Sequence, residues 1–259
     1  MSLALAVGGG RQAHAQSAET APALAVEAPA SRYPRGVIER PLTLPAGLVM
    51  LGGDIIAVNK ELDTILGAPI VGYGVTDDFE AQVRYRFALK AFETKGTLNL
   101  ELGYKILRGA AGGKLEMIAR ARPGYDFVNE GAAPVLLGLH VQYNATPRFA
   151  IISGIPGTEQ LKISVDGPIK PIDVSLPIGV GFQATPELYV ELDTKLATID
   201  ISDSYTTVIG SDTTPVVLTA VWSAIPALDV QAQIFTDLSH QPDRNVGFVV
   251  GFRYCAGER

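Results

Sequence analysis

Hydrophobic and polar residues alternate with a period of two along most of the chain beyond residue 46. In FEAQVRYRFALK (79–90), Val83, Tyr85, Phe87 and Leu89 alternate with Gln82, Arg84, Arg86 and Lys90. A strand has this period, because successive side chains leave opposite faces of the pleated backbone. Comparable stretches cover 47–58, 67–75, 80–90, 96–107, 114–122, 134–144, 148–156, 173–183, 187–197, 215–224, 228–238 and 245–254. The pattern therefore predicts twelve strands, and no stretch carries the period of a helix.

The connections alternate in length. Tight turns fall at VTDD (75–78), ATPR (145–148), ATPE (184–187) and IPAL (225–228), with a glycine version, RGAAGG, at 108–113. Thr76, Thr146, Thr185 and Ile225 mark a repeat, the first two being two steps of 35 apart and the later steps 39 and 40. Longer connections, 157–172 and 198–214, lie between them. Two strands per repeat predict an up-and-down meander with tight turns at one end; a propeller needs four strands per repeat.

Each strand has one apolar and one polar face. In GTLNLELGYKIL (96–107), Leu98, Leu100, Leu102, Tyr104 and Ile106 oppose Thr97, Asn99, Glu101, Gly103 and Lys105. In PVLLGLHVQYN (134–144), Val135, Leu137, Leu139, Val141 and Tyr143 oppose Gly138, His140, Gln142 and Asn144. A soluble lipocalin-like barrel, a binding module with its apolar face inside, has the same alternation. Barrel width decides between them: about eight strands make an interior that side chains can fill, and twelve make one too wide for a dry core. Phe79, Tyr104, Tyr143, Trp222 and Tyr254 stand near strand ends on the apolar face, as expected of girdles at the two membrane interfaces. The expected fold is all-β, a transmembrane antiparallel up-and-down β-barrel of twelve strands with a polar lumen.

Composition agrees. A formal net charge of -6 excludes a nucleic-acid binder, which needs a basic stripe for phosphates. Apolar residues reach 47% and mean hydropathy is +0.22, yet no 18-residue window is both apolar and free of charge. The single Cys255 excludes a disulfide framework. At the N-terminus, MSLALAVGGG followed by Ala13-His14-Ala15 and Gln16 reads as a signal peptide over 1–15. Residues 16–44, rich in Ala, Pro and Glu, read as a flexible periplasmic lead-in, and 45–259 as the barrel.

Through GYGVTDDFEAQVRY, ATPELYVELD and the last strand GFVVGFRY, where Phe248, Val250, Phe252 and Tyr254 alternate, the chain resembles a bacterial outer-membrane β-barrel. The resemblance implies residence in the outer membrane of a Gram-negative bacterium, in contact with its lipid. It also implies recognition of the last strand by the barrel assembly machinery. Such proteins usually end on an aromatic residue, whereas CAGER follows Tyr254 here.

With the polar faces inward, Arg84, Arg86, Lys90, Lys105, Arg120 and Arg122 face Glu101 and Glu116 on one wall, a balance of +4. Glu187, Glu191, Asp193, Asp229 and Asp237 against Lys195 give the wall six strands away a balance of -4. That field would orient small polar solutes in a narrow water-filled channel, and general porins resemble this arrangement. The expected function is porin-like passive passage of small hydrophilic solutes, with no reaction and no cofactor. Pairing across neighbouring strands gives the rival reading, a closed anchoring barrel with a charge-plugged lumen. A third is an outer-membrane hydrolase built on His140 with Ser153 or Ser175, although no motif joins them. His240 reads as solvated, Asp200, Asp203 and Asp212 match no calcium loop, and the glycines at 109–113 precede no helix.

Overall fold

The computed structural model describes residues 33–58, 64–89, 95–154, 161–163, 172–200, 208–210, 215–238 and 246–257. The strands are β1 (Val49–Val58), β2 (Thr64–Gly74), β3 (Phe79–Ala88), β4 (Gly96–Gly109), β5 (Leu115–Asp126), β6 (Gly131–Thr146), β7 (Phe149–Ser153), β8 (Leu161–Ile163), β9 (Ile172–Gln183), β10 (Leu188–Asp200), β11 (Val208–Gly210), β12 (Pro215–Ile225), β13 (Leu228–Asp237) and β14 (Gly247–Ala256). β7 and β8 both lie between β6 and β9, and β11 and β12 both pair with β10, so these fourteen strands form twelve staves. Every pairing is antiparallel, and β1 pairs with β14 from Val49↔Ala256 to Val58↔Gly247, which closes the barrel. The 157–172 and 198–214 connections thus contain the short strands β8 and β11, and β10 runs on to Asp200.

The turns explain the threonine repeat. Thr76, Thr146 and Thr185 each accept a backbone N–H from two residues on, from Asp78, Arg148 and Glu187, at 3.2 Å. A hydroxyl placed this way satisfies an amide that the ladder leaves free. Ile225 has no hydroxyl and stands instead at a register shift beside a two-residue turn. RGAAGG forms a single helical turn, Ala110–Gly113, with Gly109, Ala111, Gly112 and Gly113 all at positive φ. Glycine is needed for most of these because a side chain disfavours left-handed backbone.

The apolar faces point outward. Ile55, Tyr104, Trp222 and Val250 are 54–56% exposed, with Leu51, Leu100, Ile151, Leu192 and Phe252 in the same belt. Side chains that hydrophobicity would bury are uncovered because lipid takes the place of a core. One correction follows for the aromatic residues. Phe79, Tyr104, Tyr143, Trp222 and Tyr254 all lie beside tight turns, at one end of the barrel, where Phe79 pairs with Tyr104 and Trp222 with Leu188. The opposite girdle is Tyr85, Phe87, Tyr125 and Phe127, with ring centroids 5.0–6.2 Å apart. Phe79 to Phe87 covers about 27 Å of tilted strand at ~3.4 Å per residue, comparable with the ~25 Å apolar band of such barrels.

Twelve staves about 4.8 Å apart and tilted by ~40° enclose a ring roughly 24 Å across between backbones. Inside it, at the tight-turn end, lies a segment that the sequence pattern assigns to the flexible lead-in. Tyr33–Leu44 is packed against the inner wall, with Ile38, Arg40, Thr43 and Leu44 buried. Ile38 joins Ala150, Ile152 and Tyr189 of the wall, and Leu44 joins Met50, Ile70 and Cys255. Burying an aliphatic side chain of this size stabilises by about 1.5–3 kcal/mol. The signal peptide read over 1–15 and the start of the lead-in lie outside the described residues.

Candidate functional site

The inward faces of β3, β4 and β5 carry Arg84, Arg86, Lys105, Arg120 and Arg122, together with Glu80, Glu101 and Glu116. Arg120 is the hub. It pairs with Glu101 and reaches the Glu80 carboxylate at 3.2 Å. Arg122 stands 3.9 Å from Glu101, and the Lys105 ammonium 3.7 Å from Glu116. This half of the wall therefore follows the cross-strand pairing expected of strands with opposite charges side by side. Arg84 and Arg86 do not: among the described residues neither forms an ion pair. The carboxylates that act most on Arg84 are Asp54 and Glu101, and Asp54 is held at two points by Arg253, at 2.7 and 3.0 Å. Lys90 lies outside the described residues.

The acidic residues are also placed inward. Glu191 and Asp193 stand on β10, six staves round a twelve-stave ring from Arg84 and Arg86 on β3. The Tyr189 hydroxyl donates to Glu191 at 2.6 Å, and Asp193 is only 3% exposed. Glu187 sits in the tight turn before β10 and pairs with Arg35 at 3.0 Å. Asp229, on β13, is bound by Arg40 and accepts from the Ser223 hydroxyl at 2.8 Å. Asp237 ends β13. The two sets expected from sequence are thus on different walls, with Asp229 and Glu187 at the tight-turn mouth and already occupied by arginines.

Those arginines come from the segment that pattern reasoning missed. Tyr33–Pro45 crosses the mouth from the β12–β13 wall to β3, and wall side chains take up its backbone. Arg35 donates to the Ser223 and Ala224 carbonyls at 3.0 Å. A short 3-10 turn, Val37–Glu39, presents the Ile38 amide to Gln183 at 3.2 Å, while Gln142 and Asn144 donate to the Ile38 carbonyl. Leu42 donates to Glu116 and accepts from Arg120, both at 3.3 Å. The Leu44 amide donates to Glu80 at 2.8 Å, and the Thr43 hydroxyl to the Asp77 carbonyl at 2.8 Å. At the exit Gly74 has to be glycine, because a Cβ there would strike the Pro45 carbonyl.

Arg40 fastens the segment. Its guanidinium grips both carboxylate oxygens of Asp229, donates to Ser223 Oγ at 2.9 Å, and donates back to the Pro34 and Arg35 carbonyls at 2.8 and 2.9 Å. Burial works against its charge, but the hydrogen bond and charge of Asp229 outweigh that and hold it more firmly protonated than in water. The Tyr33 ring lies under Arg40, 4.7 Å from its guanidinium carbon. Burial raises the Tyr33 phenol above its ordinary range, against a smaller opposing effect of Arg40. The sequence signal for this segment is weak: VIERPLTLP has no period, because its prolines forbid both helix and ladder.

The hydrolase geometry is not present among the described residues. His140 Nδ1 is buried without a partner, and the Ser153 hydroxyl donates instead to the Pro177 carbonyl at 2.7 Å. His240, Asp203 and Asp212 lie outside the described residues.

No protein-family model matches the chain, and no curated protein matches it in sequence. Solved structures share its fold. A structure described as the KdgM porin superimposes with a TM-score of 0.53 at 8% identity, over 79% of this chain and 98% of the porin. The NanC porin gives 0.55 at 8% identity, over 80% of this chain and 98% of that one. At such identities the likeness is one of fold.

Proposed function

We propose that this chain is an outer-membrane channel of porin type, through which small hydrophilic solutes pass passively. The observation that carries the reading is the state of Arg84 and Arg86: charged side chains on an inner wall, without ion pairs among the described residues, in a closed barrel whose other face is an apolar belt. A barrel built only as an anchor would gain nothing from unpaired inward charge, because an ion kept from water without a partner is costly. In a water-filled lumen the same charge is solvated and acts on passing solutes. The facing wall carries Glu191, bonded to Tyr189, and Asp193, shut away from water, so the field on polar and zwitterionic solutes comes chiefly from the arginine side. The porin folds it resembles support the same reading. It goes with a leader over residues 1–15, residence in a Gram-negative outer membrane, contact with lipid, and insertion by the assembly machinery through β14. No chemical step is part of it.

Single-channel recording of the refolded protein in a planar bilayer tests the proposal, with the reversal potential read in a salt gradient. Reproducible conductance steps are expected. The second reading, a closed anchoring barrel, is favoured by one observation, the segment across the mouth. Silence from protein shown to be folded and inserted, with that segment released, would select it.

A further inference from the structure

We propose that Tyr33–Pro45 is a removable stopper: the tight-turn mouth is a binding site for an extended, arginine-bearing peptide, filled here by the chain's own segment. The pore opens when the segment leaves. The gating part of this inference rests on the channel reading; the release of the segment does not.

The bonding separates the segment from the wall. Staves are joined by backbone ladders, such as the ten paired positions between β1 and β14. The segment has no ladder. Its amides and carbonyls are met by side chains, Glu80, Glu116, Gln142, Asn144 and Gln183, all inward-facing on strands that pair fully without it. Each of those groups can be taken up by water in an open lumen, so departure strands few polar atoms. Ile38 and Leu44 seat in small apolar patches, as anchors of bound peptides do. Arg40 on Asp229 is the most buried ion pair of the segment, and Arg35, on Glu187 and the Ser223 and Ala224 carbonyls, holds the same side of the mouth.

The segment also masks charge. Glu80 and Glu116 accept its amides, while Glu187 and Asp229 are paired with Arg35 and Arg40. Release takes away Arg35 and Arg40 together with Glu39, a net charge of +1, and separates Glu187 and Asp229 from those arginines, while Glu80 and Glu116 keep Arg120 and Lys105. Opening and a shift of selectivity toward cations are therefore one event.

The test uses the full chain with Cys255→Ala and a reporter cysteine, Thr43→Cys, at a site 1% exposed. The rate of labelling by a membrane-impermeant maleimide is compared with and without Arg40→Ala, and conductance is recorded on both. Labelling is expected to accelerate about tenfold or more on loss of the charge-assisted pair, with Arg40→Lys partly restoring protection and conductance rising in parallel. Equal labelling rates in folded protein with and without Arg40→Ala would overturn the stopper. A second variant does not weaken the segment at all: Thr43→Cys with Asp77→Cys tethers it, since the Thr43 hydroxyl already meets the Asp77 carbonyl at 2.8 Å. The oxidised barrel should stay shut and open on reduction; conductance that is present and equal in both states would also overturn the proposal. Accelerated labelling with no conductance in any variant would uphold the stopper and reject the channel.

Discussion

Arg253 and Asp54 face each other across the seam where the last strand meets the first, joined by two hydrogen bonds of 2.7 and 3.0 Å. The carboxylate is 5% exposed and the guanidinium 16%. Gly251, directly opposite Asp54 in register, leaves the room that the carboxylate fills. A bidentate pair of this kind fixes register as well as adding energy.

Removing either partner leaves the other charge half-desolvated. Asp54→Ala and Arg253→Ala should each destabilise the barrel by about 1–3 kcal/mol, and the double variant should cost clearly less than the sum. Denaturant titration of the liposome-folded protein gives the cycle. Additive losses would show that ladder pairing alone closes the seam.

Selectivity should follow the free arginines rather than the tied ones. Arg84→Glu with Arg86→Glu is expected to move the reversal potential toward cations without loss of folding. Glu191→Gln with Asp193→Asn, at carboxyls turned away from water, should move it much less. Arg120→Glu, which sets a third carboxylate beside Glu80 and Glu101, should mainly reduce the yield of folded barrel. An unchanged reversal potential in the first variant would remove the arginine field from the account.

The outer wall gives a depth-dependent prediction. Leu100 lies mid-strand in the belt, and Leu100→Arg should cost about 2–4 kcal/mol of stability in lipid. Tyr104→Arg, at the girdle, should cost about 0–1 kcal/mol. Equal costs in unfolding from liposomes would contradict the assigned membrane depth.

Alkaline pH should loosen the stopper through Tyr33. Its phenol is raised by burial, so the bound segment binds the proton more tightly than the released one. The resulting stabilisation is complete below the ordinary phenol pKa of about 10 and is lost as pH rises above it toward the raised value. Labelling of Thr43→Cys, normalised to free thiol, should therefore speed up as pH rises above about 10. Tyr33→Phe should flatten that rise.

By itself the sequence determined the wall. Period-two alternation, turn threonines and strand number follow from rules that act within a few residues, and Val83, Tyr85 and Phe87 opposite Arg84 and Arg86 already say which face meets lipid once twelve strands make a dry core impossible. It also placed the inward charges, since strand parity fixes their face. Tertiary structure alone decided which charges remain free: whether Arg120 or Arg84 finds a carboxylate depends on stagger between strands, which parity does not set. It alone decided the fate of Tyr33–Leu44 as well. That segment has no ladder and no helix of its own, so nothing within it specifies a conformation. Its order comes from Glu80, Gln142, Gln183 and Asp229, scattered over the chain and brought to one mouth only when the ring closes.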